Sequence, residues 1–196
     1  MKTLKLSICI SILIMSSICG TSQTIQSGQG GLYVTYEDFV NQKLTYPVSC
    51  SNSSDKIKLN DLFGSKMVYV TVNGEKHGFE RTKVYGYRSC DNKNYRFYDK
   101  EIYQIINTVG FFMYYQFKTE SVAKGSLVKK DAYFFSAEAN GQILNLNKAN
   151  LNRTFAHNEN FCYKVDEDFN SEKDLVTYDP YLKGYKIQYL YTESLK

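Results

Sequence analysis

Met67 to Val72 alternates along the chain, and Asn73-Gly74 follows at once. Alternation puts Val68, Val70 and Val72 on one face of an extended strand. Asn-Gly tolerates the positive φ that a two-residue hairpin turn demands at both central positions. The return strand is then Glu75 to Phe79. The same pattern recurs at short intervals. Lys83–Ser89 and Tyr95–Tyr98 flank Asp91-Asn92-Lys93-Asn94, Glu101–Ile106 and Phe111–Lys118 flank a break at 107–110, and Lys130–Ser136 and Gln142–Asn145 flank Asn140-Gly141. Leu44–Ser49 and Lys56–Leu59 precede these. Pro47 confines the first to a sheet edge, because proline has no N–H for a ladder. A polar loop is expected from Thr119 to Leu127. Short, regularly spaced strands with turn residues between them predict an antiparallel meander.

The ends of the chain read as helical. Thr35 to Asp38 fits a capping box, so one or two turns are expected from Tyr36 to about Asn41, with Tyr36, Phe39 and Val40 toward the core. Asn158 caps a helix whose Phe161, Cys162, Val165 and Phe169 share a face. Asp179-Pro180 predicts a further helix start, with Tyr181, Leu182, Tyr185 and Tyr189 as its apolar stripe. The fold class is therefore α+β: an antiparallel β-meander sheet, a short N-terminal helix, and C-terminal helices covering one face or end.

Residues 1–22 read as an export signal. Lys2 and Lys5 precede the apolar run Leu6–Met15, and Ser16, Ser17, Gly20, Thr21 and Ser22 follow. Charge, apolar run, then small residues is the order such a signal requires. Cleavage after Ser22 is preferred. Acylation of Cys19 is the competing reading, disfavoured because Ile18 stands where a small residue belongs. The expected division is 1–22 signal, 23–31 flexible leader and 32–196 one α+β domain, working in the periplasm, at the cell surface or in the medium. No later run is long enough for a transmembrane helix.

Of 24 basic and 20 acidic residues, two lysines fall in the signal, so the remainder is near neutral and shows no basic stripe for nucleic acid. Cys50, Cys90 and Cys162 form no CxxC pair, which argues against zinc. Cys50 and Cys90, both in the part read as sheet, are the first choice for a disulfide. Sequence does not fix connectivity, and three buried thiols are the alternative.

The segments Tyr33-Val34-Thr35-Tyr36-Glu37-Asp38-Phe39 and Val84-Tyr85-Gly86-Tyr87-Arg88-Ser89-Cys90-Asp91, with Tyr95-Arg96-Phe97-Tyr98, resemble a family of small exported proteins of Bacteroidetes-type bacteria. The resemblance covers most of the chain beyond the signal. It implies export and carries over no catalytic residue.

No motif for a cofactor or metal stands out. His77 and His157 belong to no HExxH pattern, and there is no GxSxG elbow. Asp166-x-Asp168-x-Asn170 imitates a calcium loop, but Ser171 and Thr177 replace its glycine and glutamate. Arg88, Asp91 and Arg96 flank one expected turn, where they would either recognise an anion or pair across strands to fix register. The main anomaly is aromatic: 18 Tyr and 12 Phe with no Trp. Tyr85, Tyr87, Tyr95, Tyr98, Tyr103, Tyr114 and Tyr115 fall on neighbouring strands, where they either fill the core or form an exposed ladder. Sugar platforms often use Trp, so its absence weighs against a glycan ligand. The function these features favour is a non-enzymatic exported module that binds a protein or another envelope component, with Tyr85, Tyr87, Arg88, Asp91, Arg96 and Tyr98 as candidate contacts. A small hydrolase built on His77, Arg88 and Asp91, or a small-ligand carrier with a cupped sheet, is the alternative.

Overall fold

A computed structural model describes residues 28–59, 66–121 and 127–196. Residues 1–22, read as an export signal and including Cys19, residues 23–27 of the expected leader and residues 122–126 of the expected polar loop lie outside the described residues. In chain order the elements are β1 (Gln29–Tyr33), α1 (Tyr36–Val40), β2 (Tyr46–Ser49), β3 (Lys56–Lys58), β4 (Met67–Val72) and β5 (Glu75–Glu80). Next come β6 (Gly86–Arg88), β7 (Asn94–Tyr98), β8 (Glu101–Asn107), β9 (Phe112–Ser121), β10 (Leu127–Ser136) and β11 (Leu144–Asn145). The C-terminal elements are α2 (Lys148–Thr154), α3 (Glu159–Asp168), β12 (Tyr178–Asp179), β13 (Gly184–Tyr185) and α4 (Lys186–Glu193).

The main sheet has the order β11-β10-β9-β8-β7-β6-β1-β2, so β6 to β11 form the expected meander and the β1–β2 hairpin adds to its side. β3, β4 and β5 make a separate three-stranded sheet. Among the described residues every pairing is antiparallel. The class is α+β. Pro47 does sit on an edge strand, opposite Gly31. Cys50, after β2, is bonded to Cys90, after β6, across a sequence separation of 40.

Local chemistry explains most elements. Asn73 and Gly74 both take positive φ, 52° and 83°, so the β4–β5 turn has the handedness Asn-Gly favours. At α1 the Thr35 hydroxyl accepts from the Asp38 amide at 3.1 Å, and the Asp38 carboxylate accepts from the Thr35 amide at 3.0 Å. Only Phe39 of that helix is buried, whereas Tyr36 and Val40 are exposed, because five residues offer just one inward position.

Several expectations need correction. The leader ends earlier, since Gln29 to Gly31 already pair with β2. β9 extends through Ser121 and β10 begins at Leu127, so residues 119–121 and 127 of the expected polar loop belong to the ladder. Asn140-Gly141 makes no two-residue hairpin. The connection from Ser136 to Leu144 is longer, and side chains of the sheet hold it: Tyr85 Oη donates to the Ala139 carbonyl at 2.9 Å and Arg96 donates to that of Gly141 at 2.8 Å. Asp179-Pro180 starts no helix. The Asp179 carboxylate caps the amides of Tyr181 and Leu182, the turn closes β12 onto β13, and Tyr181 is left exposed. The helix begins at Lys186 and buries Ile187, Gln188 and Leu190. α2, capped by Asn147, was not expected.

Two separate cores lie on one face of the main sheet. Under β3–β5, Leu32 meets Val68 and Val70, all fully buried. Under the helices, Phe111, Met113 and Phe135 meet Leu151, Phe161, Val165 and Ile187. Full burial of each such side chain contributes about 1.5–3 kcal/mol. Gln188 of α4 donates to the Phe111 carbonyl at 2.6 Å and ties that helix to the sheet. The opposite face buries Tyr103, Tyr114 and Phe134, and next to them Tyr33, Phe39 and Tyr85.

Candidate binding groove

The candidate contacts around the β6–β7 turn are mostly inside the protein. Tyr87 is buried beneath the small sheet, stacked on Tyr95 at 4.7 Å with the rings nearly parallel. Tyr85 joins the core of the opposite face, so the two do not stand side by side. Gly86 between them explains this. The backbone is so close to β7 that a Cβ there would collide with the Tyr95 carbonyl oxygen, and the regular alternation is lost. Burial pushes the Tyr85 phenol well above its ordinary range.

Arg88 and Arg96 are buried as well, and among the described residues neither has a carboxylate partner. Arg88 donates to Gln42 Oε1 and, at 3.5 Å, to Asn94 Oδ1, beside the Tyr33 ring. Arg96 donates to Tyr114 Oη at 2.9 Å and to the Gly141 carbonyl, with its guanidinium 5.2–5.9 Å from the rings of Tyr85, Tyr98 and Tyr114. Aromatic faces and neutral acceptors satisfy these cations in place of a counter-charge. Asp91 stays outside, paired with Lys93 at 2.7 Å and accepting from the Ser89 hydroxyl. The three therefore form neither an anion site nor a cross-strand charge pair. Tyr98 is half-buried beside Arg96.

His77 and Asp91 are likewise apart. His77 lies on β5 against Tyr46, 3.8 Å from Glu75. Asp166 and Asp168 are on α3, where Asp166 accepts from Asn152 at 3.2 Å and Asp168 faces Lys186 at 3.9 Å. Among the described residues, no three His, Cys, Asp or Glu side chains gather as a metal site would require.

The exposed aromatic ladder lies elsewhere. Directly opposed residues of antiparallel strands share a face. The registers define one row across seven strands: Tyr46, Leu32, Tyr87, Tyr95, Gln104, Tyr115 and Tyr133. The small sheet covers its first three members, and Tyr133 packs against the helical core. Between these covers the row lines a groove of about 500 Å³, with Tyr95, Gln104 and Tyr115 as its floor and Arg81, Glu101 and Phe117 among its borders. Two smaller hollows, of about 370 and 260 Å³, lie beside α1 and beside Cys90.

Each floor residue has a defined state. Tyr115 Oη donates to Asp131 at 2.7 Å, and burial together with that carboxylate pushes its phenol up to about 12. Phe117 is 58% exposed, with its ring 6.0 Å from that of Tyr115. The Gln104 side-chain amide, unlike its ladder-paired backbone, hydrogen-bonds to no other described residue. Gln116 Nε2 donates to Glu101 at 2.8 Å and fixes the carboxylate at one end. Comparison with protein-family models, curated proteins and solved structures gives no match.

The groove therefore rests on its own geometry. It offers two partly exposed aromatic rings, an amide able to donate and accept, and charges of both signs at its border. Tyr95 and Tyr115 were legible as strand tyrosines. Gln104 was not singled out, although a glutamine flanked by Tyr103 and Ile105 within an apolar strand is the signal that finds it.

Proposed function

We propose that this chain is a non-catalytic module exported from the cell, which binds a protein or another envelope component in the groove between its two covers. The observation that carries this reading is the uncovered centre of the cross-strand row. Half-buried Tyr95, Gln104 and Tyr115 line the open groove, while Leu32 and Tyr87 of the same row are buried under the small sheet and Tyr133 packs against the helical core. A concave, largely preformed surface with aromatic rings and a few convergent polar groups is where recognition concentrates. The export reading rests on residues 1–22 and on the family resemblance. The separation of His77, Arg88 and Asp91 favours binding over hydrolysis.

The test is retention of envelope and culture material on the immobilised chain from residue 23, compared with a Gln104→Leu, Phe117→Ala variant. Loss of a retained component in the variant, with thermal stability unchanged, is the expected outcome. Equal retention by both proteins places binding elsewhere and defeats the reading.

A further inference from the structure

Resting on that binding reading, we propose that the occupant of the groove is a neutral glycan strand. Backbone pairing is the first argument. β7, β8 and β9 are each hydrogen-bonded to a strand on either side, so the groove floor presents no free main-chain edge. An extended peptide laid there would find none of the ladder bonds by which sheets capture peptides. Charge is the second. Arg81 and Lys100 are set against Glu101, with Asp131 at Tyr115, so no single-sign cluster awaits a phosphate or nucleic acid.

The alternation of ring and amide is the third argument. A pyranose has a C–H face and a rim of hydroxyls that both donate and accept. Tyr95 and Tyr115, two strands and therefore about 10 Å apart, offer ring surfaces to the first. The Gln104 side-chain amide between them, unengaged by any described residue, serves the second. The aromatic surface then continues past the groove. Exposed Phe117 lies 6.0 Å from Tyr115 along the same strand, and half-buried Tyr133 lies 5.6 Å from Tyr115 on the neighbouring strand. A belt of repeated rings suits a polymer of repeated rings. Tyrosine supplies the platform in a chain without tryptophan.

The experiment takes the protein purified from the exporting cell and measures its retention of envelope polysaccharide and protein. The extract is used untreated, after periodate oxidation of vicinal diols, after acid hydrolysis, or after proteolysis, and Gln104→Leu, Tyr115→Phe and Tyr163→Phe variants run in parallel. Periodate should abolish retention whether the glycan is free or carried on protein, and proteolysis separates those two sources. Gln104→Leu should weaken retention at least tenfold and Tyr115→Phe, which keeps the ring but loses the hydroxyl bonded to Asp131, by a smaller factor, whereas Tyr163→Phe on α3, outside the groove, should leave it unchanged. Retention that survives both periodate and acid hydrolysis of glycosidic bonds, which needs no vicinal diol, overturns the glycan assignment and leaves the binding module standing. Absence of any retention from the untreated extract defeats both.

Discussion

Gly86 and Gly74 are both in β-hairpins, yet they answer to different constraints. A Cβ on Gly86 would meet the backbone of Tyr95, which cannot swing aside, whereas Gly74 has nothing within 4 Å and only its φ of +83° to defend. Gly86→Ala should therefore cost about 3 kcal/mol or more, since overpacking against backbone has no cheap relaxation. Gly74→Ala should cost about 1–2 kcal/mol, the penalty of a left-handed L-residue. Urea midpoints of the two variants check the order, and equal losses would contradict it. Gly74 was legible in the sequence, because Asn-Gly between alternating strands signals its own turn. Gly86 was not, because its constraint comes from a strand reached only after the turn at 89–93. Arg88 and Arg96 were misread for a related reason. Arginine beside a turn suggests a surface, and only the assembled sheet brings tyrosine rings and carbonyl oxygens around them.

At the scale of elements, a local signal held where the chain around it could propagate the same structure and failed where tertiary contacts or a turn intervened. The α1 capping box is complete, so Thr35→Ala should destabilise by about 1 kcal/mol through loss of one capped amide. Asp179-Pro180 carried an equally local signal, but a lysine with φ of 50° and Gly184 close the chain into a hairpin before a helix can propagate. The disulfide acts between elements. It ties the end of edge strand β2 to the β6–β7 turn across 40 residues, and removing it by Cys50→Ala, Cys90→Ala should cost about 4 kcal/mol by loop-closure entropy. Calorimetry of the double variant measures that loss. Binding in the groove should be unchanged, because neither cysteine lines it.

For the whole molecule, the tyrosine content sets the response to alkali. Burial raises the phenols of Tyr33, Tyr85, Tyr103 and Tyr114, and Tyr115 rises to about 12. An unfolded chain loses those protons near pH 10 while the fold retains them, so the unfolded state binds fewer protons. Stability from this source is complete below about pH 10 and is lost as pH climbs through the folded values. The urea midpoint should be level from pH 8 to 9.5 and fall at 10.5 and 11.5. A level midpoint to 11.5 would mean that the phenols ionise without opposing the fold. The α+β class and the meander were readable from period and turns. The division of one sheet face between two covers was not, because nothing local records which strands a distant helix will shield.

That division has a thermodynamic consequence. The core under the small sheet and the core under the helices share no buried residue, and partly exposed Gln104 lies in the row between them. Cooperativity across that face must pass through the backbone ladder and the opposite face instead of through continuous apolar packing. Amides of β4 and β5 should therefore exchange with solvent through an opening of lower free energy than those of α3, with each group sharing one value.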